Sequence, residues 1–207
     1  MTANVPNPAR RRLLILRVVA WTVLAGPLAF GLYRWFLGDG FGFDPVEEML
    51  HYSGLTAVIV LISSLTVTPL RRWTGFNHLQ KLRRLIGLWA FTYGLIHFSI
   101  YLALDQWFDF ALVWEDLRER PFILSGFTAL VLMVPLVLTS TRGSIRRLGK
   151  RWVTLHRLVY ISAGLAVLHF WWGQKADTRN PLVAVVILVI LLGFRAWWAI
   201  QKRKRTT

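Results

Sequence analysis

Six apolar stretches, at about 17–36, 49–69, 85–104, 121–139, 153–172 and 181–200, carry no acidic residue near their centres. Each is close to the ~20 residues that a helix rising ~1.5 Å per residue needs to cross ~30 Å of hydrocarbon. In a chain of 207 residues that is 55% hydrophobic, six such spans leave only short loops and no room for a separate soluble domain. A backbone in lipid must satisfy its own polar groups, so the chain reads as an all-α integral membrane protein, one six-transmembrane-helix bundle covering 1–207. The first stretch has full spanning length and no small-residue cleavage site after it, so it is expected to stay as a span and not act as a leader.

A net charge of +15 raises the possibility of nucleic acid, but the basic residues alternate by loop. Arg10, Arg11, Arg12 and Arg17 precede the first span, and Arg71, Arg72, Lys81, Arg83 and Arg84 separate the second from the third. Arg142, Arg146, Arg147, Lys150 and Arg151 separate the fourth from the fifth, and Lys202, Arg203, Lys204 and Arg205 follow the sixth. The intervening loops hold Asp39, Asp44, Glu47, Glu48, Asp105, Asp109, Glu115, Asp116 and Asp177. Every loop then obeys the positive-inside rule if both termini are cytoplasmic. A nucleic-acid surface would need the cations on one solvent face with exposed aromatics, and this distribution excludes it. The partner of the basic loops is the lipid bilayer.

The chain has no cysteine, which removes iron–sulfur clusters, thiolate-ligated haem and disulfides together. It contains no P-loop, no glycine-rich dinucleotide fingerprint and no HExxH, so it has no nicotinamide domain of its own. If it moves electrons, they come from another protein, a flavin or a lipid-soluble quinone. Most of the eleven tryptophans fall near span ends, as an interfacial belt would, and suggest no chemistry. Pro27 and Pro135 are expected to kink spans, and Pro69, Pro121 and Pro181 to mark their boundaries. The aromatic and acidic loop 105–120 is expected to lie on the outer surface or to serve as a docking face.

Histidine carries the strongest functional signal. His97, His156 and His169 sit inside apolar runs, where an ionisable group is a functional-site hypothesis by default, and neutral imidazole is a common axial ligand of haem iron. His97 and His169 fall at similar depth on different spans, as clamping one haem from two sides requires. His156 lies 13 residues before His169, ~20 Å along a helix, which suits a second cofactor level. It has no histidine opposite it on the third span, so an inner site has another sixth ligand or is something other than a bis-histidine haem. Gly87, Ala90 and Gly94 share the His97 face, and Ala163 and Ala166 lie near the His169 face; small residues there allow close approach. Tyr93, Phe98, Tyr101 and Trp172 are within a turn of these histidines. His51 opens the second span as an interfacial residue, a quinone-site donor or a haem ligand, and His78 reads as solvated. Arg83, Arg84, Arg151 and Arg157 are topology determinants that could also pair with haem propionates or a flavin phosphate. The rival reading is a haem-free small transporter or proton relay built on intramembrane histidines. It would want an acid near a span centre, and none is there.

Several segments taken in order resemble a known family: DPVEEMLHYSGLTA at 44–57, TPL at 68–70, RRLIGLW at 83–89, LIHFSIY at 95–101, RPF at 120–122, TSTRGSIRRLGKRWVTLHRLVY at 139–160 and LAVLHFWW at 165–172. They are similar to the MsrQ (YedZ) family, the haem-binding membrane subunits of the bacterial periplasmic methionine sulfoxide reductase system, within the ferric-reductase-like transmembrane superfamily. The resemblance implies an inner-membrane protein with b-type haem, one or two, held by His97, His156 and His169, with His51 also matching a family histidine. It further implies flavin mononucleotide (FMN), electrons from the quinone pool or a cytosolic flavin reductase, and delivery to the periplasmic molybdopterin-containing reductase MsrP. No flavin-binding motif carries over residue by residue.

Overall fold

A computed structural model describes residues 8–38, 40–174 and 178–204, and among them only helices and connections occur. The loop charges Asp39, Asp177 and Arg205 lie outside the described residues. The order is α1 (Pro8–Phe36), α2 (Pro45–Thr74), a short 3₁₀ turn (Asn77–Lys81), α3 (Arg83–Ile100) running into a π-helical turn (Tyr101–Asp105), α4 (Phe110–Glu119), α5 (Pro121–Leu138), α6 (Arg142–Leu148), α7 (Lys150–Leu155), α8 (Leu158–Gly173) and α9 (Arg179–Lys204). Six helical segments among the described residues are long and apolar enough to cross a membrane: Arg11–Phe36, Pro45–Thr74, Arg83–Asp105, Pro121–Leu138, Lys150–Gly173 and Arg179–Lys202. The all-α, six-span fold is therefore as the apolar stretches demand.

α2 is the central helix, with the largest buried share of any span, and it packs most extensively on α3; α5 packs in the same way on α8. α9 leans on α2 and α8, while α1 sits at the edge against α2 and α3. The core runs from Val58, Leu61 and Leu65 of α2 through Ala90 and Tyr93 of α3 to Met133 of α5 and Ala163 and Val167 of α8.

Local sequence explains where α2 starts and stops. The Asp44 carboxylate accepts from the Glu47 amide at 3.1 Å, Pro45 fits the first turn, and Glu47 and Glu48 complement the positive end of the helix dipole. At the other end Gly75 takes φ 69° and its amide donates to the Arg71 carbonyl. Pro69 does not end this helix, as its sequence position suggested; α2 continues to Thr74. Proline supplies no N–H to the Leu65 carbonyl four residues back, and the guanidinium of Arg195 on α9 supplies it instead, Nη2 donating at 2.7 Å.

Pro27 is met in a related way. The Tyr93 hydroxyl inserts into the α1 ladder beside it, accepting from the Leu28 amide at 3.1 Å and donating to the Leu24 carbonyl at 2.5 Å. The Tyr52 hydroxyl donates to the Pro27 carbonyl at 2.7 Å. Two tyrosines thus pin the Pro27 turn of α1 to α2 and α3.

The fifth span is not one uninterrupted helix. It breaks at His156–Arg157, where the Arg157 and Tyr160 amides bond three residues back instead of four. Gly149, at φ 50°, turns the chain between α6 and α7.

Candidate functional site

His97 on α3 and His169 on α8 face each other across the bundle, with ring centres 6.0 Å apart and ring planes at 72°. The Nδ1 of His97 bonds the Leu50 carbonyl at 3.0 Å and lies 3.2 Å from the Ser53 hydroxyl; the Nδ1 of His169 bonds the Phe122 carbonyl at 2.7 Å. A carbonyl only accepts, so both rings carry their proton on Nδ1 and present Nε2 as a free lone pair. Metal-ligating histidines are held this way, with the distal N–H fixed by a backbone carbonyl. An iron held at about 2 Å by each nitrogen sets two imidazole centres roughly 6 Å apart, so the pair fits a bis-histidine haem. Among the described residues no group of three or more His, Asp or Glu forms an alternative metal site.

Glycines on the neighbouring helices make this possible. A Cβ on Gly54 of α2 would stand 3.0 Å from the His97 ring, and one on Gly126 of α5 would stand 2.7 Å from the His169 ring. The small residues chosen from the sequence lie on the histidines' own helices and do other things. Gly94 seats Leu130 of α5, and Gly87 lines the cavity beside His156. An imidazole reaches across to its neighbour, so the residue that must be small is on the opposite helix. The aromatics divide similarly: Phe122 stacks on His169 at 5.8 Å, whereas Tyr93 bonds α1 and Phe98 packs on Tyr101 and Phe127.

His156 occupies the basic half, at the break between α7 and α8. Its Nδ1 bonds the Trp152 carbonyl at 3.1 Å, which fixes the same tautomer, and its Nε2 is buried without a partner. Trp152 stacks on the ring at 3.8 Å and anchors itself through its indole N–H to the Thr139 carbonyl at 3.0 Å. This tryptophan is therefore a scaffold for the histidine and not only part of the interfacial belt. A cavity of about 330 Å³ adjoins His156, lined also by Arg83, Arg84, Arg157, Tyr160 and Ser64. The arginines singled out from the sequence meet the histidine here, apart from Arg151, which does not line the cavity.

His51 does not join the pair. It is exposed on α2, its Nδ1 2.9 Å from the Gln174 amide nitrogen, the reverse of the bonding at His97, His156 and His169. His78, in the 3₁₀ turn, lies tilted against the Phe76 ring at 5.2 Å. A second cavity of about 340 Å³, almost wholly apolar, opens between α1, α2 and α3 behind His97, with Ser53 and Tyr52 on its wall.

At the acidic end, Asp116 of α4 is buried, accepting from the Tyr101 hydroxyl at 2.7 Å and pairing with Arg120 Nε at 3.1 Å. This network ties the π-helical turn after His97 to the start of α5, two residues from the Phe122 carbonyl that holds His169. The sequence showed Asp116 only as one loop acid among several.

The family model described as ferric reductase like transmembrane component matches residues 51–167. Curated relatives named protein-methionine-sulfoxide reductase heme-binding subunit MsrQ include one from Deinococcus radiodurans, 49% identical over 171 residues that make up 82% of this chain and 84% of the relative. One from Bordetella pertussis is 44% identical over 187 residues, 88% of this chain and 91% of the relative. Another from Xanthomonas campestris is 45% identical over 168 residues, covering 81% and 77%. With the matched model spanning more than half of the chain and such identities over most of its length, the chain belongs to the MsrQ family of ferric-reductase-like transmembrane proteins.

Proposed function

We propose that this chain is the haem-holding, electron-carrying membrane subunit of a methionine sulfoxide reductase system, with two b-type haems stacked across a bacterial inner membrane. The observation that carries the reading is the His97–His169 pair, with both Nδ1–H groups held by carbonyls and both Nε2 lone pairs left for an iron. His156 offers the same donor to a second haem, in a cavity whose arginines suit its propionates. Bound haem supplies one-electron redox chemistry; the protein supplies ligation, dielectric and orientation.

The basic end faces the cytoplasm, by the positive-inside rule, and there the electrons arrive from the quinone pool or a cytosolic flavin reductase. An FMN on this subunit would find phosphate partners on the same arginine-rich rim. His97 and His169 hold the outer level, and the acidic end delivers electrons to MsrP, the periplasmic molybdopterin-containing reductase. His51 stands at the rim of that end, where its bond to Gln174 suits it to orient the outer surface more than to ligate iron.

Replacing His97 or His169 with Ala is expected to remove the outer haem, about half of the total, while the bundle still inserts. Haem counts on the purified variants check this. Full haem in both single variants would overturn the assignment.

A further inference from the structure

The two halves of the histidine pair are cradled by matching segments of α2 and α5. Leu50, Ser53 and Gly54 stand to His97 as Phe122, Ser125 and Gly126 stand to His169, and each residue is 72 positions from its counterpart. In each half the carbonyl of the first residue bonds the histidine Nδ1, and the glycine four positions on leaves room for the ring. The serine between them is buried in both halves. The matched stretches read SGLTA at 53–57 and SGFTA at 125–129, and His-Phe follows at the same distance in each, at 97–98 and 169–170.

The two serines differ in what the hydroxyl does. Ser125 Oγ donates to the Phe122 carbonyl at 2.7 Å, the same oxygen that accepts from His169 Nδ1 at 2.7 Å. Both donors draw charge from one oxygen, so the hydroxyl weakens the pull of that carbonyl on the imidazole N–H. Ser53 Oγ has its shortest acceptor elsewhere, the Met49 carbonyl at 2.7 Å, against 3.2 Å to the Leu50 carbonyl. With its proton on Met49, the Ser53 oxygen presents a lone pair to His97 Nδ1, 3.2 Å away, and the N–H is shared between this oxygen and the Leu50 carbonyl at 3.0 Å. His97 therefore has two acceptors for its N–H, and His169 has one that is partly spent on a competitor.

We propose that Ser53 and Ser125 are positioning residues for the two axial ligands and tune them in opposite senses. This rests on the reading above of a haem between His97 and His169. A stronger pull on Nδ1–H makes Nε2 a more basic ligand, which favours ferric over ferrous iron and lowers the potential. Ser53 strengthens that pull at His97, and Ser125 relaxes it at His169. One motif used twice thus yields two unequal ligands, and the iron between them has a potential intermediate between those of two strengthened and two relaxed histidines.

Wild type, Ser53→Ala, Ser53→Cys, Ser125→Ala, Ser125→Cys and the Ser53→Ala/Ser125→Ala double variant are purified in detergent as whole chains. Haem per chain and midpoint potentials are measured on each, the outer haem being the component that persists in His156→Ala. Ser53→Ala removes an acceptor from His97 and is expected to raise the potential of the outer haem. Ser125→Ala removes a competing donor at His169 and is expected to lower it, and the double variant is expected to return toward wild type. Cysteine fills nearly the same space with a much weaker hydrogen bond, so each Cys variant is expected to keep its haem and to shift in the direction of its Ala counterpart. Hydroxyls that acted only as local polarity would move both potentials the same way, and that result overturns the proposal. Unchanged potentials, Cys variants that match wild type, or loss of the outer haem from both Cys variants overturn it too, the last because the serines would then be packing alone. A wild-type chain without haem, or haem that survives in both His97→Ala and His169→Ala, removes the functional reading as well. Haem bound as expected with a potential insensitive to both serines removes this inference alone.

Discussion

At the scale of single residues, the site is a set of histidine tautomers fixed by carbonyls. Gly126 is the clearest test of how tightly that arrangement is packed. A Cβ there meets the His169 ring at 2.7 Å, so Gly126→Ala must move the ring or the backbone of α5, at a cost of typically about 1–3 kcal/mol. The expected result is loss or spectral change of the outer haem. Gly164→Ala and Gly193→Ala add a methyl to open space away from both cavities and are expected to leave the spectrum unchanged, so the contrast isolates the clash. The three histidines were legible in the sequence because an ionisable side chain in an apolar run is rare enough to have a purpose. Gly54 and Gly126 were not, because what makes them necessary is a ring on another helix. Arg195 was hidden by position: seven residues before Lys202, it reads as the start of the basic tail until the helix turns it toward Leu65.

At the scale of elements, the prolines show what sequence punctuation can and cannot say. Pro121 opens α5 as expected, but Pro69 lies inside α2, since a donor from a helix distant in sequence fills the gap. The interruption of the fifth span at His156 was likewise not readable, because it depends on Trp152 being anchored to the end of α5. α1 is the element least committed to the core, held beside Pro27 by Tyr52 and Tyr93. Tyr52→Phe is expected to cost about 0.5–1.5 kcal/mol of stability, one hydrogen bond's worth. Tyr93→Phe is expected to cost less in backbone bonding, since the Leu28 amide can return to the Leu24 carbonyl. Because α1 carries no histidine, thermal unfolding of the double variant should start at a lower temperature with the haem count intact. Loss of haem in that variant would mean that α1 is part of the site.

For the whole molecule, the bundle divides into an acidic half that holds the His97–His169 pair and a basic half that holds His156 and the arginine-lined cavity. That polarity was visible in the alternating loop charges, and it sets the direction proposed for electron flow. Reporter fusions to the 75–82 and 141–149 connections are expected to report cytoplasm, and fusions to the 105–120 connection periplasm; the opposite pattern would reverse the direction of transfer. The pairing of helices that brings α3 to face α8 could not be read from one sequence, because depth along a span says nothing about which spans are neighbours. The central claim is that three histidines with free Nε2 atoms hold two haems. It is tested most directly by a reduced-minus-oxidised spectrum of the purified chain with a pyridine haemochrome count per protein. The account predicts a b-type spectrum with about two haems per chain, falling to about one in His156→Ala as well as in His169→Ala. A chain that takes up no haem when haem is plentiful, or that keeps its full count in both variants, would contradict it.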